Sequence, residues 1–180
     1  MVARWWRTLS LVLATVLITL GVQAAMAGVS SGQTQISGRG TAAVKVVRDI
    51  RTFHTTSDTW VDLPGAGTTV TVPPAQQWIV LARFTGSSGC NGGNLNSWCT
   101  VRILVGGVEA APAVGTSFVW ESSLPACCEI GERSLSIDRS IGPLAPGSYP
   151  VQVQVAVTTA GGTPTFSLDD WVLTVEAART

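Results

Sequence analysis

Residues 149–157 read Tyr-Pro-Val-Gln-Val-Gln-Val-Ala-Val. Their two-residue period decides the fold class. In an extended chain successive side chains point to opposite faces. Tyr149, Val151, Val153, Val155 and Val157 therefore line one side, and Gln152 and Gln154 line the other. A helix would scatter these valines around its axis, so the segment is a strand with one buried and one wetter face.

The same period recurs on both sides of this segment. Residues 76–85 put Trp78, Val80, Ala82 and Phe84 on one face and Ile79, Leu81 and Arg83 on the other, which predicts a strand well inside a sheet. Residues 98–105 turn Cys99, Val101, Ile103 and Val105 inward, and Gly106-Gly107 leads through a hairpin to residues 108–110. Residues 133–139 alternate Leu135 and Ile137 with Ser134, Ser136 and Asp138. Residues 165–177 form the last strand, bent at Asp169-Asp170, with Trp171, Leu173 and Val175 on one face. Further strands are expected over 42–48, 52–56, 59–63, 68–72 and 116–121. Turns are expected at Pro64-Gly65, Pro73-Pro74 and 142–147, and a loop over 86–97. Many short strands at close spacing predict one all-β domain, an antiparallel β-sandwich of jelly-roll type.

The N-terminal residues have a different character. Arg4 and Arg7 precede an apolar run from Leu9 to Val22, which ends in Gln-Ala-Ala-Met-Ala27. The run is shorter than the ~20 residues a bilayer span requires. A basic start, a short apolar core and a small-x-small site read as an export signal over residues 1–27. Residues 28–41 are Gly- and Ser-rich and read as a flexible lead-in to a domain over 42–180. The expected location is therefore secreted or cell surface, with no membrane contact after cleavage. Beyond residue 27 the chain has 9 Lys and Arg against 11 Asp and Glu, a balance that disfavours a phosphate backbone and hence nucleic acid.

An export signal makes disulfides permissible, and the chain has 4 cysteines. Cys90 and Cys99 lie close across one loop and form the preferred pair. That pairing leaves the adjacent Cys127 and Cys128 to each other. Both joining instead to the first two would staple two loops. The spacing fits no closed zinc site.

Catalytic signals are sparse. His54 is the only histidine, and no Gly-x-Ser-x-Gly elbow surrounds any serine. Asp169-Asp170 is the only adjacent acid pair and is expected at a bulge rather than at a calcium site, and Glu129 and Glu132 lie in a polar segment. No catalytic residue, metal or cofactor is expected, and the chain is read as a non-enzyme. Aromatics carry the binding signal. Trp78 and Trp171 share phase with apolar neighbours and belong to the core. Trp98 is out of phase with Cys99, Val101 and Ile103, so it is the foremost candidate for an exposed platform, with Trp60 and Trp120 beside it.

Four stretches carry a resemblance: Trp98 to Glu109, Arg139-Ser-Ile, Leu144 to Gln154, and Phe166 to Glu176. Together they resemble a group of uncharacterised exported bacterial β-sandwich proteins without assigned activity, so the resemblance implies a fold and no residue roles. The Leu-x-Pro-Gly-x-Tyr turn and strand is also similar to those of trimeric jelly-roll heads and carbohydrate-binding modules. The sequence is thus read as an exported structural or ligand-binding protein, or alternatively a carbohydrate-binding module. Its expected partners are a glycan, a protein or further copies of itself.

Overall fold

The computed structural model describes residues 37–123 and 132–180. Ten strands follow in order: β1 (Arg39–Asp49), β2 (Phe53–Thr55), β3 (Val61–Val72), β4 (Trp78–Asn91), β5 (Trp98–Val105), β6 (Val108–Glu109), β7 (Glu121–Ser122), β8 (Arg133–Leu144), β9 (Gly147–Thr158) and β10 (Thr165–Arg179). They form two five-stranded antiparallel sheets. Sheet A runs β1-β10-β4-β8, with β2 also on β10, and sheet B runs β3-β9-β5-β6, with β7 also on β5. Taking β1 with β2 and β6 with β7 as interrupted strands leaves eight positions, ordered 1-8-3-6 and 2-7-4-5. That is the strand order of the expected jelly roll.

The inner faces are built from the predicted residues. Val151, Val153, Val155 and Val157 of β9 face Val80, Ala82 and Phe84 of β4 and Leu173 and Val175 of β10 in one buried cluster. Trp171 and Phe84 are among its largest side chains, with ring centroids 6.3 Å apart. Gly106 and Gly107, both at positive φ, turn β5 into β6 as a two-residue hairpin.

Two bulges keep the apolar residues inside where the period slips. In β10 the buried set runs Phe166, Leu168 and then Trp171, Leu173, Val175, so an even phase becomes odd. The register shift lies between Asp169 and Val172, and Asp170 takes φ 45°. Gly86 lies opposite, where a Cβ would meet Leu168 and Trp171 at 3.3 Å. In β3 the buried set runs Leu63 and then Ala66, Val70, Val72, with the register shift between Asp62 and Gly67.

The structure corrects four local expectations. Pro64-Gly65 forms no turn between two strands; it lies in the β3 bulge, and the chain continues as one strand. The expected loop over 86–97 is strand as far as Asn91, because Ser87–Asn91 pair with β10 and Gly86–Ser88 with β8. Residues 116–121 are not a strand: a 3-10 turn covers Gly115–Ser117, and pairing resumes at Glu121. Gly142-Pro143 belongs to β8, so the connection to β9 is Ala145-Pro146 alone.

Inward-facing cations close the open sides. Lys45 of edge strand β1 donates from Nζ to the carbonyl of Thr69 on β3. Arg139 of edge strand β8 lies over the Phe118 ring at 4.8 Å, and burial pushes its guanidinium below its usual pKa. The Cys90–Cys99 disulfide joins β4 to β5, hence sheet A to sheet B. Cys127 and Cys128 lie outside the described residues. Replacing Cys90 and Cys99 together by serine should cost about 2–3 kcal/mol, measured as a lower midpoint in urea.

Candidate functional site

The outer face of sheet B carries the most ordered polar arrangement. Because the odd residues of β5 point inward, Trp98, Thr100 and Arg102 point outward. Arg102 Nε and Nη2 donate to Gln154 Oε1 of β9 at 2.9 and 2.6 Å. Gln154 Nε2 in turn donates to Asp62 Oδ1 of β3 at 2.7 Å. The guanidinium also lies 4.3 Å from the centroid of the Trp60 ring. A cation over an indole at a partly exposed site contributes roughly 0.5–1 kcal/mol. Trp60 and Gln154 are thereby held in one arrangement across three strands.

The face is extended by the loop after β6. Glu109 lies 3.8 Å from Arg102 and accepts the backbone N–H groups of Val114 and Gly115 at 3.0 and 3.1 Å. Trp98 Nε1 donates to the Thr116 carbonyl at 2.9 Å, which fixes the indole against the same loop. Trp98 pairs with Thr158 of β9, and Trp60 precedes Val61, which pairs with Val155. The two indoles therefore arise from the strands on either side of β9. On this same face the hydroxyls of Thr100 and Thr158 are buried without a hydrogen-bond partner among the described residues. A buried hydroxyl left unpaired costs about 1–3 kcal/mol.

Trp98 and Trp60, both half-buried, thus share a face, while Trp120 lies elsewhere. Its ring is 6% exposed and sits between the sheets, 5.7 Å from Phe84. Its Nε1 donates to Ser88 Oγ at 2.9 Å, and Ser88 donates to Glu121 Oε2 at 2.8 Å. Burial pushes the Glu121 carboxyl above its usual pKa, against the pull of the Ser88 hydrogen bond.

The remaining candidates make ordinary surface contacts. His54 Nδ1 and Ser167 Oγ are 2.9 Å apart as a cross-strand pair, and among the described residues no carboxylate is hydrogen-bonded to the ring. Asp169 accepts from Thr52 Oγ1 at 3.1 Å and from the Asp170 N–H at 2.8 Å, bonds that hold the bulge. Among the described residues no three of His, Cys, Asp and Glu converge to hold a metal. Glu132 accepts from Ser87 at 3.1 Å, and Glu129 lies outside the described residues. Sequence reasoning left Arg102, Asp62 and Glu109 unassigned; the available signal was that Arg102 shares the outward phase of Trp98.

No protein-family model matches the chain, and no curated protein matches it. Solved structures that align over most of its length include the following three. The C-terminal domain of EclA, a sugar-binding protein, is 10% identical over 81% of this chain and 86% of its own, with a TM-score of 0.37. The CBM36-1 domain of a multidomain xylanase from the hindgut metagenome of Trinervitermes trinervoides is 14% identical over 73% of this chain and 96% of its own, with a TM-score of 0.27. A carbohydrate-binding module CBM36, in complex with calcium and xylotriose, is 12% identical over 71% of this chain and 97% of its own, with a TM-score of 0.26. Likeness at this level carries no argument about what this chain binds.

The raised pKa of Glu121 gives a signed expectation. Folding favours its protonated form, so the stability it contributes is fully present below the unfolded carboxylate value of about 4.5 and is lost as pH rises through the folded value. Urea denaturation across that range should show stability falling with pH in the parent and a flatter profile in Glu121→Gln.

Proposed function

We propose that this is an exported, non-catalytic domain that binds carbohydrate on the outer face of sheet B. The observation carrying this reading is the pair of indoles, Trp98 and Trp60, on either side of β9 on one polar-locked face. An indole offers a flat apolar surface to the C–H face of a sugar ring, and a half-buried one is already oriented. Locking Trp98 through Thr116 and Trp60 through Arg102 reduces the ordering cost that binding would otherwise incur.

The polar groups favour a neutral, hydroxyl-rich ligand. Asp62, Arg102 and Glu109 alternate in sign and are partly satisfied by one another, so no single charge dominates. Asp62 uses one carboxylate oxygen for Gln154, leaving the other to accept from a ligand hydroxyl. Export rests on the N-terminal pattern of Arg4, Arg7, the apolar run and Ala27. A glycan outside the cytoplasm is the partner this chemistry suits.

The test is a glycan array followed by titration of intrinsic fluorescence on any hit. Trp98→Ala should weaken binding about tenfold and Trp60→Ala somewhat less, each variant still unfolding in one cooperative transition, at a midpoint lowered by the lost Thr116 or Arg102 contact. A folded protein that binds no glycan on the array would overturn the reading.

A further inference from the structure

The outer face of sheet A, on the other side of the sandwich, carries its own grid of side chains. Antiparallel register sets two rows across β1, β10, β4 and β8. One row is Val46, Thr174, Arg83 and Asp138; the next is Val44, Glu176, Leu81 and Ser140. A wall rises at the β8 end. Ala111 and Ser140 exchange two backbone hydrogen bonds of 2.7 and 2.9 Å, which brings Pro112 over the sheet edge. The result is a trough of about 400 Å³ with Leu81 in its lining.

We propose that this trough is a second saccharide site, one that takes a neutral pyranose ring. Leu81, 45% exposed, and Pro112 supply apolar surface for the C–H groups of the ring. Among the described residues Arg83 hydrogen-bonds only through Nε, to Asp138 at 2.7 Å, which leaves its terminal nitrogens for ligand oxygens. Glu176 has no hydrogen-bond partner among the described residues, and Thr174 and Ser140 add hydroxyls to the same lining. Donor and acceptor thus alternate on neighbouring strands, about 4.8 Å apart, within reach of the hydroxyls of one ring. The Arg83–Asp138 pair is exposed at 63% and 67%, so sharing it with a ligand forfeits little. Arg83 and Arg139 balance Asp138 and Glu176 in the lining, so no net positive charge draws an anionic sugar. Two sites on opposite faces would let one molecule bridge two glycan chains, with a gain in avidity over either alone.

The experiment is a ¹⁵N–¹H titration of the folded protein with cellotriose, maltotriose and chitotriose, with trigalacturonate as the anionic control. The proposal expects saturable shifts at the amides of Leu81, Thr174 and Ser140 with at least one neutral trimer. It expects the same shifts in Trp98→Ala and an affinity lowered about tenfold in Arg83→Ala or Glu176→Gln. These side chains are exposed, so both variants should keep the dispersed spectrum of the parent. Trough amides that stay fixed with every neutral trimer overturn the proposal, as does binding that survives both substitutions or favours trigalacturonate. Indole shifts at Trp98 without trough shifts would sink this site and leave the tryptophan face standing; trough shifts alone would do the reverse.

Discussion

Everything in this domain depends on the pressing together of two apolar inner faces, because neither sheet can exclude water alone. Each strand must keep its apolar residues in one phase for its whole length, and a single slip would expose the set. β10 and β3 both slip, and both repair the slip with a bulge. At Asp169-Asp170 and at Pro64-Gly65 the backbone absorbs extra residues, so that Trp171 and Ala66 return to the inside. The acid pair that looked chemically suggestive is the hinge of that correction. Its carboxylate is spent on Thr52 and on the next backbone N–H.

The outer faces follow from the same alternation. Once Cys99, Val101 and Ile103 are committed inward, Trp98, Thr100 and Arg102 have only the outside. The disulfide strengthens this assignment at its start, since Cys99 is tied to β4 and the neighbouring Trp98 has no freedom to roll inward. The polar ladder from Asp62 through Gln154 to Arg102 then sets the surface above β9. A structural bond and a candidate binding residue are thus adjacent in sequence and opposite in direction.

Legibility in the sequence tracked regularity. β9, the first half of β4 and β5 were readable because their alternation is unbroken, and the Cys90–Cys99 pair followed from proximity across one loop. Glycine and proline misled where they act within strands. Gly86 to Gly89 read as loop, yet these small residues continue β4 past the bulge of β10. Gly142-Pro143 read as a turn, yet it lies on edge strand β8, where a missing N–H is tolerated. Trp120 was ambiguous because residues 116–121 have no period to fix its direction; its position between the sheets follows from tertiary contacts with Phe84 and Ser88. The Arg102 ladder and the sheet A trough depend on register between distant strands, which one chain's pattern does not encode.

The pairing of the first and last strands has a geometric consequence. Arg39 at the start of β1 lies opposite Arg179 at the end of β10, beside Trp78. Trp98 and Trp60 lie toward the far pole, where β9 ends at Thr158 and β10 begins at Thr165. The described chain therefore enters and leaves the sandwich at one pole. A surface, a linker or a neighbouring module joined at either end would leave the indoles facing outward and unobstructed.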